Sequence, residues 1–157
     1  MTGPAVRKLN HAVLYVRDAQ RSAAFYAEAF GFVTVAEAGN GAAVFMRAAE
    51  TENHHDLGLF SVGAQAPGPE PGRAGLYHLA WEVDTIHDLA AMRERLAAMG
   101  ALVGESDHGV SKSLYGHDPD GIEFEVLWTV PRADWGDYER EAVVQRLDLP
   151  AALARWG

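Results

Sequence analysis

Apolar and polar positions along the chain follow two alternating rhythms, and the whole sequence of rhythms occurs twice. Leu9–Val16 reads LNHAVLYV and Leu76–Val83 reads LYHLAWEV, so a Leu, a His and a closing Val hold the same places in both. Their period of two predicts strands. Each is followed by a period near 3.6. In the first half Asp18 is a natural N-cap, the apolar positions run through Ala23, Ala24, Tyr26, Ala27 and Phe30, and Gly31 supplies the stop. In the second half Thr85 and Asp88 stand at capping-box spacing, Leu89, Met92, Leu96 and Met99 form the stripe, and Gly100 ends it.

Short β-branched and aromatic runs separated by Gly-containing gaps come next. They predict strands at Phe32–Ala36, Ala42–Arg47 and Asp56–Val62, then at Leu102–Glu105, Ser113–Gly116 and Ile122–Trp128. Each half therefore reads βαβββ. A four-stranded sheet with one helix leaves a face uncovered, so the two modules are expected to pack around a shared cleft, an α+β arrangement. Module one runs about 8–62 and module two about 76–129, and the Gly/Pro-rich stretch 63–75 is a connector. Residues 130–157 carry Trp135, Leu147, Leu149, Leu153 and Trp156, too apolar for a disordered tail. They predict a C-terminal extension of one or two short helices that covers the sheets or a dimer contact.

Composition narrows the function. A chain of 157 residues is one domain or two small modules sharing one core. With 13 Lys and Arg against 22 Asp and Glu the net charge is −9, which argues against a nucleic-acid or anionic-membrane surface and for a small-molecule partner. There are no cysteines, so any metal must take N and O ligands. The opening MTGPAVRKLNH lacks an apolar leader core, and no stretch has the length of a membrane span, so a cytoplasmic protein is expected.

Seven histidines fall at 11, 54, 55, 78, 87, 108 and 117. His11 and His78 occupy the same position of the two repeated strands, which makes a joint metal role as plausible as two separate structural ones. The last strand of module two, GIEFEVLW, offers two carboxylates, Glu123 and Glu125, on one face. A carboxylate among Ile122, Phe124, Val126 and Leu127 is costly to bury unless it is paired or holds a metal. The matching strand of module one, DLGLFSVG, has no acid at the equivalent place, which leaves three ligands rather than four. Two histidines and one carboxylate with open positions is the arrangement of non-haem Fe(II) enzymes, and Mn(II) or Zn(II) can occupy such sites as well. His55 and His108 are possible proton carriers. Asp118 to Gly121 reads as a plain β-turn, and Val13, Phe45, Phe60 and Trp81 as core rather than pocket lining.

The two βαβββ halves, the paired histidines and the ending DPDGIEFEV resemble the vicinal oxygen chelate superfamily over about residues 8–129. That superfamily includes glyoxalase I, the bleomycin and fosfomycin resistance proteins and the type I extradiol dioxygenases. The finer resemblance is to the dioxygenases. Their signature runs here as His108, GVSKS, Leu114-Tyr115, Gly116-His117, Asp118-Pro119-Asp120-Gly121, then IEF and Glu125. Ser106 departs from it at a position without a functional group, and His54-His55-Asp56 matches a second histidine context of the group. The resemblance implies iron ligands His11, His78 and Glu125, with His55, His108 and Tyr115 as the catalytic groups around them. It implies Fe(II), with Mn(II) or another divalent metal as the alternative, an aromatic catechol and O₂ as substrates, and a homo-oligomer. Members often have two such domains of which one is active, and this chain holds the whole constellation in one. Two other readings stand beside it: a glyoxalase-like or epimerase-like lyase or isomerase, and a metal-free drug-binding resistance protein.

Overall fold

β1 (Ala12–Val16) alternates exposed Val13 and Tyr15 with buried Leu14 and Val16, the pattern of a strand with one covered face. α1 (Ala19–Phe30) follows. The Asp18 carboxylate accepts hydrogen bonds from the backbone N–H groups of Gln20 and Arg21 at 2.9 and 3.1 Å, and Gly31 ends the helix in the left-handed region at φ 70°. β2 (Val33–Ala38), β3 (Ala43–Arg47) and β4 (Leu57–Ser61) complete a four-stranded sheet in the order β1-β4-β3-β2, with β1 parallel to β4 and the remaining pairs antiparallel. Tyr26, Ala19, Ala23 and Ala29 of α1 bury themselves with Val16, Val44, Met46, Leu57 and Leu59.

The second unit repeats the plan. β5 (His78–Glu82) leads into α2 (Ile86–Ala98), whose capping box has formed: Thr85 Oγ1 accepts from the Asp88 N–H at 3.0 Å and the Asp88 carboxylate from the Thr85 N–H at 3.1 Å. β6 (Leu102–Asp107), β7 (Ser111–His117) and β8 (Glu123–Thr129) then build the sheet β5-β8-β7-β6, with the single parallel pair again between the first and last strands. Ile86, Leu89, Met92 and Leu96 pack with Leu114, Phe124 and Val126, each such side chain contributing about 1.5–3 kcal/mol of burial. The computed structural model describes residues 3–157. Met1 and Thr2, the start of the stretch read for a leader, lie outside them. Among the described residues no helix is long and apolar enough to cross a membrane.

The chain thus holds two α+β modules, and the compact units divide between Pro67 and Gly68, inside the expected connector. The extension folds as two short 3₁₀ turns, Arg132–Asp134 and Gly136–Glu139, and then α3 (Leu149–Trp156). α3 packs on α2, and Trp156 lies 5.6 Å from Trp128, ring centre to ring centre. One expectation needs correcting. Val13 is 51% exposed and Phe45, Phe60 and Trp81 are only half-buried, so none belongs to the closed core. In Val13 the alternation of β1 accounts for this, since α1 covers the opposite face.

Tight packing of β7 on β8 gives a first expected outcome. A Cβ on Gly116 would run into the Phe124 ring and come within 2.6 Å of the Ala101 carbonyl oxygen, a backbone atom that cannot step aside. Gly116→Ala should lower the unfolding free energy in urea by about 1–3 kcal/mol, the range for overpacking. Wild-type stability would mean that the strand pair is looser than this contact requires.

Candidate active site

Cross-strand register creates the cluster in the second unit. Parallel pairing sets His78 opposite Glu123 and Ala80 opposite Glu125, and antiparallel pairing sets Tyr115 opposite Glu125 and His117 opposite Glu123. Because side chains alternate, His78, Glu123, Glu125 and Tyr115 share the face that Phe124 and Val126 do not use. His78 Nε2 lies 3.1 Å from Glu125 Oε2, and the Tyr115 hydroxyl donates to Glu125 Oε1 at 3.2 Å. His108 Nε2 is 2.7 Å from the same hydroxyl, and its Nδ1 is 2.9 Å from the Val143 carbonyl oxygen. The result is one connected line, Val143 to His108 to Tyr115 to Glu125 to His78.

Electrostatics explain why this line holds together. Glu125 is 7% exposed, and a carboxylate so placed requires partners, which His78 and Tyr115 supply. Burial, reinforced by the Glu125 charge and its hydrogen bond, pushes the Tyr115 hydroxyl up to about 12. Tyr115 is therefore a proton donor at any working pH. On the far side of His78, Nδ1 is buried with no hydrogen bond, its nearest acid being Glu123 at 3.5 Å. Glu123 Oε2 in turn faces His117 at 3.8 Å.

The first unit gathers its own group. His11 is exposed, one residue ahead of β1, with Nδ1 2.8 Å from Asn10 Oδ1, which leaves Nε2 free to bind. Asn53 holds this corner, donating to the Asn10 carbonyl at 2.9 Å and to Asp56 at 2.7 Å. The His55 ring lies 4.5 Å from that of His11 and 5.1 Å from that of Phe45, and His55 Nδ1 is 3.1 Å from His54 Nδ1. Burial first, then the His11 and His54 imidazoles, lower the basicity of His55, with Asp56 acting the other way. In this unit Val13 pairs with Gly58, so a glycine stands where the second unit has Glu125.

Within neither unit do three His, Asp or Glu side chains among the described residues form a ready-made ligand set. The second unit supplies a pair that fits a divalent metal: an imidazole nitrogen and a carboxylate oxygen already directed at each other. A metal on His78 Nε2 requires the proton on Nδ1, and Glu123 is the carboxylate on that side. Three features escaped the sequence reading. The Val143 carbonyl carries no side-chain signal. Lys112 is 4% exposed and bonds Asp107 at 2.6 Å; the inward parity it shares with Leu114 was the available hint. The third is the place of Glu123 beside His78, which the pairing of the two parallel strands creates. The turn Asp118–Gly121 is the plain one expected: Gly121 N–H reaches the Asp118 carbonyl at 3.0 Å, and Asp118 Oδ1 accepts from Asp120 and Ile122.

The family described as Glyoxalase/Bleomycin resistance protein/Dioxygenase superfamily matches residues 8–126. A catechol-2,3-dioxygenase of Bacillus subtilis (strain 168) is 30% identical over 128 residues, 81% of this chain and 43% of that protein. A biphenyl-2,3-diol 1,2-dioxygenase of Paraburkholderia xenovorans (strain LB400) is 30% identical over 167 residues, 95% of this chain and 47% of that protein. The chain thus spans less than half the length of these two relatives. Among solved structures, a glyoxylase/bleomycin resistance protein/dioxygenase domain from Frankia sp. EAN1pec superposes with a TM-score of 0.68 at 23% identity, covering 80% of this chain and all of that one, a likeness of fold.

Proposed function

The chain belongs to the Glyoxalase/Bleomycin resistance protein/Dioxygenase superfamily, and we propose that it acts there as an Fe(II)-dependent extradiol dioxygenase that opens the ring of a catechol-type aromatic with O₂. The observation that carries this reading is the hydrogen-bonded line from His108 through Tyr115 to Glu125, three residues that the dioxygenase signature names, and on to His78, which the wider resemblance adds as a ligand. His78 and Glu125 are two of its metal ligands, and the resemblance assigns His11 of the first unit as the third. Fe(II), or Mn(II) in its place, would supply Lewis acidity and redox chemistry toward O₂ and the two vicinal oxygens of the substrate.

The protein's own groups divide the remaining work. Tyr115 keeps its proton and donates it as a hydrogen bond to a substrate oxygen, fixing the orientation of the ring. His108 holds the phenol from behind. His55, its basicity lowered, is neutral at neutral pH and accepts a proton from the substrate hydroxyl, returning it later to the reduced oxygen. Gly58 in place of a second-unit-type glutamate supports a three-ligand metal over the four-ligand centre of a glyoxalase-like isomerase.

Anaerobic purification, metal analysis and an oxygen electrode test the reading. The iron-loaded protein should consume O₂ equimolar with a suitable catechol and release a yellow ring-opened product. No O₂ uptake across a broad set of catechols, with turnover of a hemithioacetal or an epimerisable acyl substrate on a divalent metal, would overturn it.

A further inference from the structure

The hairpin that carries His108 is closed around a buried lysine. β6 ends at Asp107 and β7 opens at Ser111, with the His108 N–H bonded to the Ser111 carbonyl at 2.9 Å and Gly109 in the left-handed region at φ 76°. Lys112, on the inward side of β7 with Leu114, sends its ammonium to Asp107 Oδ1 at 2.6 Å and to the Gly109 carbonyl at 3.3 Å. The same Asp107 oxygen accepts from the Gly109 N–H at 2.7 Å. One ion pair therefore holds both backbone groups of Gly109, and His108 is the residue between Asp107 and Gly109. From behind, the Trp156 ring of α3 has its centre 5.3 Å from the ammonium, and a side chain on Gly109 would strike the Tyr138 ring.

Stability alone does not call for a lysine here. Replacing a buried ion pair by apolar side chains of similar volume is often neutral or stabilising, because two charges must leave water to form it. What the pair adds is direction: the ammonium must stand where Asp107 and the Gly109 carbonyl both reach it, which fixes the turn. His108 Nε2 meets the Tyr115 hydroxyl at 2.7 Å, so a shift of that turn moves the imidazole against the phenol. We propose that Lys112 is a positioning residue: with Asp107 it clamps the turn 107–111 and sets the approach of His108 to the Tyr115 hydroxyl. The inference rests on the dioxygenase reading for its effect on turnover, and on geometry alone for the placement of His108.

The test uses the full-length chain with isotope-labelled histidine and Zn(II) in place of any paramagnetic metal, the His108 ring signals being assigned by their loss in His108→Ala. Lys112→Met should shift those signals and weaken the nuclear Overhauser contacts between the His108 and Tyr115 rings, whose centres lie 6.4 Å apart, while the His87 signals stay. Unmoved His108 signals would overturn the proposal. Asp107→Asn combined with Lys112→Met leaves no unpaired buried charge, so it should melt no more than a few degrees below the wild type and still show the His108 shift. That double variant decides should the single one fail to fold. On a catechol, Lys112→Met should lower kcat about tenfold with KM within about twofold and iron retained, against the roughly hundredfold that a misplacement of about 1 Å can cost. In a His108→Ala background the same substitution should change kcat by less than about twofold. An equal loss in both backgrounds would mean that Lys112 acts without His108 and would overturn the clamp. If no catechol turns over, the histidine signals decide alone, so that failure of the dioxygenase reading is told apart from failure of the clamp.

Discussion

Glu125→Gln should purify without stoichiometric iron while Glu123→Gln retains it. The two acids share one strand face, two residues apart, and both lie near His78. Their surroundings separate them. Glu125 is buried, accepts from Tyr115 and faces His78 Nε2 at 3.1 Å, the nitrogen that would turn to a metal. Glu123 faces Nδ1, the nitrogen that must keep its proton when Nε2 binds metal. Converting Glu125 to an amide removes the charge of the proposed ligand outright. The same change at Glu123 removes a carboxylate from behind a ligand, which lowers affinity by no more than about 10–100-fold. Metal content by mass spectrometry and a competition titration with a chromogenic chelator separate the outcomes. Iron retained in Glu125→Gln and lost in Glu123→Gln would move the ligand two positions along β8. His78→Ala should lose metal along with Glu125→Gln.

Local chemistry made much of this arrangement legible in the sequence. Asp18, Gly31, Thr85, Asp88 and Gly100 act within a turn of themselves, and each does what its type and spacing implied. The repeat of LNHAVLYV in LYHLAWEV translated into two sheets of one topology because a strand–helix–strand unit has few ways to cover a sheet. The absent acid in DLGLFSVG reappears as an aligned fact, Gly58 opposite Val13 where Glu125 stands opposite Ala80. The strands nevertheless differ at their ends. β1 begins at Ala12, leaving His11 just outside it, whereas β5 begins at His78 itself, so two residues equivalent in the repeat are not equivalent in the ladder.

What was not legible depended on partners distant in sequence. Parity alone put Glu123 and Glu125 on one face, and the family signature chose Glu125 by its spacing from Gly121; what the sequence did not show is that the β7–β8 register places Tyr115 opposite Glu125. Lys112 lies beside Asp107 and the Trp156 ring, a place that becomes visible only when the extension has folded back. Val13 read as core because it is apolar, and it is exposed because its strand has a helix on one side only. The sequence pattern thus located the chemistry and left its wiring to tertiary contacts.

His55→Gln should keep iron and substrate binding and slow turnover by about 10²–10⁴, the usual worth of a positioned acid or base. Glutamine preserves size and hydrogen bonding and removes only the ability to exchange a proton, so a loss confined to kcat identifies proton transfer. Tyr115→Phe should cost less. It deletes one hydrogen bond to a substrate oxygen, about 0.5–3 kcal/mol depending on the charge of that oxygen, which is at most roughly 100-fold in rate. The Tyr115 hydroxyl, pushed up to about 12, has no access to its ionised form near neutral pH and so cannot serve as the base itself. His87 is exposed on α2, and His87→Ala should leave both kinetics and stability within about 0.5 kcal/mol of wild type, a control for histidine loss as such. Steady-state kcat and KM under fixed O₂, with iron content measured on the same samples, rank the three variants. Wild-type kcat in His55→Gln would remove His55 from the chemistry, and a larger loss in Tyr115→Phe than in His55→Gln would exchange the roles given to them.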